Sequence, residues 1–157
     1  MLRISKLADY GAVVMAYLAC RTEAVCSARE IATHTHLSVP TVSKLLKRLL
    51  FAGLLVSVRG ANGGYKLQRD ATTISVADIL YAVDKPRGLT ACSLHPHACM
   101  LTGMCHMQSH WQVISQVIDK ALSEINLAML AKTKAIPELP GVASLFYGSK
   151  AQEGGAR

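Results

Sequence analysis

Three cysteines, Cys92, Cys99 and Cys105, fall within fourteen residues at the spacing C-x6-C-x5-C. Thiolates are soft ligands that suit iron–sulfur clusters, zinc or copper(I). A loop of this size can fold round a small inorganic centre and aim three sulfurs at it. A 2Fe–2S cluster takes four protein ligands, so a further donor is needed. His95, His97, His106 and His110 are near in sequence, and Asp9 near the start of the chain is a candidate from a second subunit. Cys20 and Cys26 lie in separate elements and read as core or turn residues. Two other chemistries stay open. Zinc is one, although the short C-x2–4-C knuckles of structural zinc sites are absent. Metal-free redox thiols are the other. A nucleophilic Cys–His pair, such as Cys105 with His110, has no catalytic motif around it, so the expectation is a protein that is not an enzyme.

The remainder of the chain must position such a loop. Its 157 residues suffice for one domain with a real core, and 51% of them are hydrophobic. Formal net charge is +7, unevenly placed. Residues 1–70 carry ten Lys/Arg against four Asp/Glu, whereas residues 71–157 carry seven against six. A basic first half points to a polyanion-binding surface and a near-neutral second half to assembly or sensing. No apolar run approaches a membrane span. The stretch Gly11–Cys20 faintly resembles an export signal, but Asp9 and the sequence that follows argue against one. Bunched cysteines outside a disulfide framework suit a reducing compartment, so the cytoplasm is the expected location.

Apolar periodicity predicts a helix over residues 2–20. Ser27-Ala28-Arg29-Glu30 reads as a reciprocal capping box that starts a short helix over 28–35. Ser38 caps a second helix, with Pro40 tolerated in its first turn and Gly53 ending it. Val42, Leu45, Leu46, Leu49 and Leu50 give that helix its inner face. Thr41, Ser43, Lys44, Lys47 and Arg48 fall mostly on the other side, short and cationic as entry into a major groove requires. Residues 54–58 and 65–68 read as two strands round Arg59-Gly60-Ala61-Asn62-Gly63-Gly64, where Asn-Gly-Gly is expected to supply positive φ. A hairpin directly after a helix-turn-helix is a wing. Arg59, Lys66 and Arg69 put charge on it. Residues 74–84 form a further helix. Residues 107–131 read as one long helix with an apolar stripe through Trp111, Ile114, Val117, Ile118, Ala121, Leu122, Ile125, Ala128 and Met129. Such a helix is too long for a small domain to bury, which predicts a symmetric dimer.

Together these residues resemble a known family. Residues 59–67, RGANGGYKL, and 74–79, ISVADI, look like the wing and following helix of the Rrf-two-type winged-helix regulators, the family of the IscR and NsrR proteins. The opening residues 2–11, LRISKLADYG, and residues 40–46, PTVSKLL, are similar too. Residues 89–93, LTACS, and the pair Trp111-Gln112 look most like the branch that regulates the SUF cluster-assembly operon. The resemblance implies a homodimeric regulator, usually a repressor, that holds a 2Fe–2S cluster on Cys92, Cys99 and Cys105. It implies a variable fourth ligand. In nitric-oxide sensors this is an aspartate matching Asp9, reaching over from the partner. In cluster-assembly regulators it is a histidine two residues after the third cysteine. Here position 107 is Met, His106 follows Cys105 directly, and the first cysteine gap is one residue longer than the usual C-x5-C-x5-C.

The expectations are therefore as follows. The fold is mainly α with a small β-hairpin wing. Residues 1–84 form a winged helix-turn-helix, 85–106 a cluster-binding loop, 107–132 a dimerisation helix and 133–157 a partly disordered tail. Cys92, Cys99 and Cys105 hold a 2Fe–2S cluster, with Asp9 or His106 as fourth ligand. Ser38, Thr41, Ser43, Lys44, Lys47, Arg48, Arg59, Asn62 and Tyr65 contact a double-stranded operator. The function is cluster-responsive control of cluster-assembly genes. The alternative is a nitric-oxide or redox sensor of the same fold, using thiols or zinc.

Overall fold

The computed structural model describes residues 4–21, 24–60, 62–84, 88–94, 99–100 and 104–132. The expected tail over 133–157 lies outside the described residues. The first helix, α1, runs Lys6–Ala19. It starts at Lys6 because the Ser5 hydroxyl accepts from the Ala8 N–H at 3.1 Å. The next helices are α2 (Ala28–Thr35) and α3 (Val39–Phe51). The α2 turn is capped from one side only. The Glu30 N–H donates to Ser27 Oγ at 3.2 Å, but the Glu30 carboxylate accepts from Tyr17 Oη and Arg21 instead of returning to the cap. The expected reciprocal box is thus traded for a tie between α1 and α2. Ser38 caps α3, as its sequence requires.

Val42, Leu45, Leu46 and Leu49 of α3 are all fully buried. They meet Val14, Met15 and Leu18 of α1 and Ile31 of α2 in one core. Burying a side chain of this size contributes about 1.5–3 kcal/mol, so the stripe on α3 largely defines the unit's stability. Two antiparallel strands follow, β1 (Leu55–Val58) and β2 (Gly64–Leu67), with Leu55 opposite Leu67 and Val58 opposite Gly64. The hairpin is anchored near its turn by Cys26 and Tyr65, which exchange both backbone hydrogen bonds at 2.9 and 3.0 Å. Positive φ falls at Gly60 (+123°), not within Asn62-Gly63-Gly64. Gly64 is needed for another reason: a Cβ there would collide with the Cys26 carbonyl.

After a single 3-10 turn at Ala71–Thr73 comes α4, Val76–Asp84. Its start is a true reciprocal box. The Asp78 N–H donates to Ser75 Oγ and the Ser75 N–H to Asp78 Oδ2, each at 3.1 Å. A short helix α5 (Ala91–Leu94) leads to α6 (Gln108–Glu124) and α7 (Leu127–Lys132). The single helix expected over 107–131 is therefore two. At the break, the Val76 N–H donates to the Ile125 carbonyl at 2.8 Å and the Leu127 N–H to the Ile74 carbonyl at 2.7 Å. These bonds replace helical ones, and Asn126 Oδ1 then caps α7 through the Met129 N–H at 3.0 Å. Leu127 is fully buried, and Ala128, Leu130 and Ala131 pack on the core beside α1. Of α6, by contrast, only Ser115 is buried. Among the described residues no helix is long and apolar enough to cross a membrane.

Candidate nucleic-acid interface and thiol segment

The outer face of α3 begins at its cap. Ser38 Oγ lies 2.8 Å from Thr41 Oγ1, so the two hydroxyls at the helix start are linked to each other. Ser43 is half-buried, whereas Lys44 and Lys47 are exposed. Arg59 and Asn62 are exposed on the wing. The pattern is one cationic helix face with a charged hairpin beside it, the arrangement that places positive charge along a phosphate backbone and short polar groups near base edges.

Other residues in this region carry structure. Arg48 turns back from α3 and donates to the Val83 carbonyl on α4. That carbonyl lies in the last turn of α4, where no intrahelical donor exists and a cation is favoured. Tyr65 is half-buried, packs against the core and supplies the backbone that ties the wing to Cys26. Arg69 pairs with Asp78 at 3.3 Å. Arg48, Tyr65 and Arg69 thus hold α4 and the wing in register with α3.

In the thiol segment, Cys92 sits on α5, and Cys99 and Cys105 lie in the stretch leading to α6; all three are half-buried thiols outside any disulfide. Thr90 Oγ1 lies 3.1 Å from Cys92 Sγ and 2.8 Å from Ser93 Oγ. The segment's entry is pinned to α6, because the Leu89 N–H donates to the Ser115 hydroxyl at 3.3 Å. The donor set is right in type for a soft metal centre, being three accessible thiols on one short stretch. Among the described residues, however, no group of three or more His, Cys, Asp or Glu is gathered for a metal. Asp9 is exposed on α1 and His106 is exposed at the start of α6, where its carbonyl accepts from His110 Nδ1 at 3.1 Å. Neither joins the cysteines within the chain. His95 and His97 lie outside the described residues.

The remaining cysteines are distinct. Cys26 is fully buried, and burial together with the nearby Glu30 carboxylate pushes its thiol above the ordinary range. It is protonated at neutral pH and a poor nucleophile. Cys20 ends α1 and donates to the Ala131 carbonyl at 3.6 Å. Sequence reasoning missed the groups that bind the thiol segment to the body: Thr90, Ser115, and the pair formed by Tyr81 of α4 and Asp119 of α6, whose hydroxyl and carboxylate are hydrogen-bonded. A polar Ser115 on the inner side of an otherwise apolar stripe was the one available signal.

Above this segment, the apolar residues of α6 face outward. Val117 is 62% exposed, Val113 57% and Ile114 40%, with Trp111 and Met107 also open. Among the described residues nothing covers this surface.

Comparison with known proteins gives a consistent picture. Residues 4–133 match the family model Rrf2, described as an iron-dependent transcriptional regulator. The HTH-type transcriptional regulator IscR of Photorhabdus laumondii is 29% identical over 141 residues, spanning 89% of this chain and 85% of that protein. IscR of Yersinia pseudotuberculosis is 33% identical over 110 residues, 70% of this chain and 66% of its own. Among solved structures, the global cysteine regulator CymR of B. subtilis superposes with a TM-score of 0.68 at 28% identity, over 83% of this chain and 97% of that one. IscR of T. potens does so with a TM-score of 0.64 at 32% identity, over 83% and 87%.

Proposed function

The chain belongs to the Rrf2 family of transcriptional regulators, and from that premise we propose that it is an operator-binding repressor whose grip on DNA answers to an iron–sulfur cluster held by Cys92, Cys99 and Cys105. The observation that carries this reading is the run of three half-buried thiols that follows a cationic winged helix in the chain and leads directly into an exposed apolar helix. A sensor needs such a connection, because the segment that carries Cys92 is bonded to α6, the helix whose apolar face a second copy would cover, and α6 packs in turn on α4. The dimer places two copies of α3 in successive major grooves, with Ser38, Thr41, Ser43, Lys44 and Lys47 on bases and phosphates and Arg59 and Asn62 beside them. Asp9 of a second copy or His106 completes the ligand set. A bound cluster supplies a redox- and iron-sensitive centre that holds the three sulfurs together. The regulated genes are those for cluster assembly.

The test is purification without oxygen, followed by visible absorption and counts of iron and sulfide per chain. Coloured protein that loses its cluster in Cys92→Ser, with changed operator affinity in a gel shift, is the expected result. Colourless, iron-free protein that still controls its operator would overturn the cluster. A second reading has its own support. CymR of B. subtilis, whose fold this chain shares, is named a cysteine regulator, and CymR of Staphylococcus aureus has been solved in an oxidised form. Under that reading the same cysteines act as metal-free thiols or a zinc site. Reversible change in DNA affinity on peroxide treatment of iron-free protein would favour it.

A further inference from the structure

Two helices, α6 and α4, connect the thiol segment to the DNA-reading helix α3, and at each of the three junctions the structure shows a specific polar bond. At the first junction, Thr90 Oγ1 touches Cys92 Sγ at 3.1 Å, and the adjacent Leu89 N–H donates to Ser115 of α6. Ser115 is the one buried residue among those of α6, and it is 8% exposed. Asp119 follows Ser115 by four residues, so the two occupy the same face of α6 one turn apart. At the second junction, Asp119 accepts from the Tyr81 hydroxyl of α4. Tyr81 lies two residues before Val83, whose carbonyl receives the Arg48 guanidinium of α3 at the third junction. Arg48 stands beside Lys47 and four residues after Lys44, the exposed cations of α3.

Between these bonds lie rigid helices. Packed helices transmit displacement as units because interiors are close-packed. A movement of the segment at Leu89–Cys92 is thus delivered through α6 to the end of α4, and from there to the end of α3. The alternative route, through apolar packing alone, is poor on α6. That helix buries no large apolar side chain in the chain itself.

We infer that Tyr81 is a positioning residue: through its bond to Asp119, and with Arg48 on Val83, it couples the chemical state of Cys92 to the seating of α3 on DNA. The inference rests on the sensing role proposed above for the cysteine segment. Coupling between two sites is reciprocal in free energy, so DNA that seats α3 must also shift the segment at Leu89–Cys92, and the reactivity of Cys92 reports that shift. This gives a readout that needs no bound cluster.

The experiment uses the full-length, reduced, metal-free protein and a DNA duplex selected by the protein from a random library. Cys92 alkylation by iodoacetamide is followed by peptide mass spectrometry with and without that duplex. In the wild type, DNA is expected to change the Cys92 rate several-fold. In Tyr81→Phe the ratio is expected to fall to near one, while affinity of the reduced protein for the duplex stays within about twofold. A several-fold ratio that persists in Tyr81→Phe overturns the relay alone, because simple shielding of Cys92 by DNA would survive the substitution. A wild-type ratio of one overturns the sensing reading and the relay with it. If Tyr81→Phe fails to fold or to bind DNA, the Asp119 pair decides. Asp119→Asn, which keeps an acceptor oxygen, is expected to retain the coupling and Asp119→Ala to lose it. Equal ratios in those two variants would overturn the relay.

Discussion

Helices α3 and α6 have similar lengths and opposite fates. Of the 13 residues in α3, four large aliphatic ones are fully buried, and its polar face is left to contact something else. Of the 17 residues in α6, the only buried one is a serine, and its valines, isoleucine and tryptophan face outward. The first region is finished within one chain. The second is not, since a monomer rarely leaves a contiguous apolar patch on a helix without a partner to cover it. The contrast teaches where each kind of information resides. A reading head must keep its shape whether or not a signal is present, so its core is closed. Under the proposed function α6 belongs to the sensing side, and its ties to the rest of the chain include the polar ones at Ser115 and Asp119.

The comparison can be broken most easily on α6. Ile114→Glu with Val117→Glu is expected to dissociate a dimer by roughly 10²–10⁴-fold, the equivalent of removing two buried side chains at about 1.5–3 kcal/mol each. Sedimentation would show it, and helix content should be kept. If the double variant unfolds the reading head instead, the two regions are not separable. On α3 the effect should be the reverse. Leu45→Ala is expected to remove about 2–5 kcal/mol from the folding free energy, seen as a lower urea midpoint, with little change in association before unfolding.

Lys44→Ala sharpens the role of the open α3 face. Loss of one phosphate contact lowers the slope of log affinity against log salt by about 1 and weakens all sequences alike, whereas loss of a base contact costs about 1–3 kcal/mol for the preferred sequence only. Affinity titrations at several salt concentrations tell the two apart, and no change in either would remove Lys44 from the interface. Asn126→Ala addresses the boundary between the regions. Removing the cap of α7 should cost about 1 kcal/mol and leave α6 intact. The smallest effect concerns Asp70, whose carboxyl is held below its usual range by the Thr72 hydroxyl and N–H. A lowered folded-state value means the charge stabilises the fold above the ordinary carboxylate range near pH 3.8 and ceases to do so as pH falls through the lowered value. The stability difference between wild type and Asp70→Asn should therefore vanish in acid and be constant near neutrality.

Much of the reading head was legible because its signals are local. Ser27, Ser38 and Pro40 mark helix starts, and the spacing of Val42, Leu45, Leu46 and Leu49 fixes which face turns inward. The same local reading failed at residues 125–127. There, apolar periodicity runs on, yet backbone pairing with Ile74 and Val76 breaks the helix. It also failed at Glu30, whose carboxylate prefers Tyr17 and Arg21 to its own cap, and it gave no sign that Arg48 bonds the end of α4. In each case a group distant in sequence offers a partner that neighbours in sequence do not.

The amino-acid order alone settled the winged-helix class, the inward stripe of α3, the charged face left open on it and the clustering of three thiols, because each depends on side-chain type at short spacing. Tertiary structure alone decided that α6 and α7 separate, that Tyr65 pairs with Cys26 and Arg48 with Val83, and that Ser115, Asp119 and Tyr81 take part in bonds between the segment before Cys92 and α4. Those outcomes depend on which unsatisfied backbone and side-chain groups meet once the chain has closed upon itself, and that meeting is written in no single stretch of sequence.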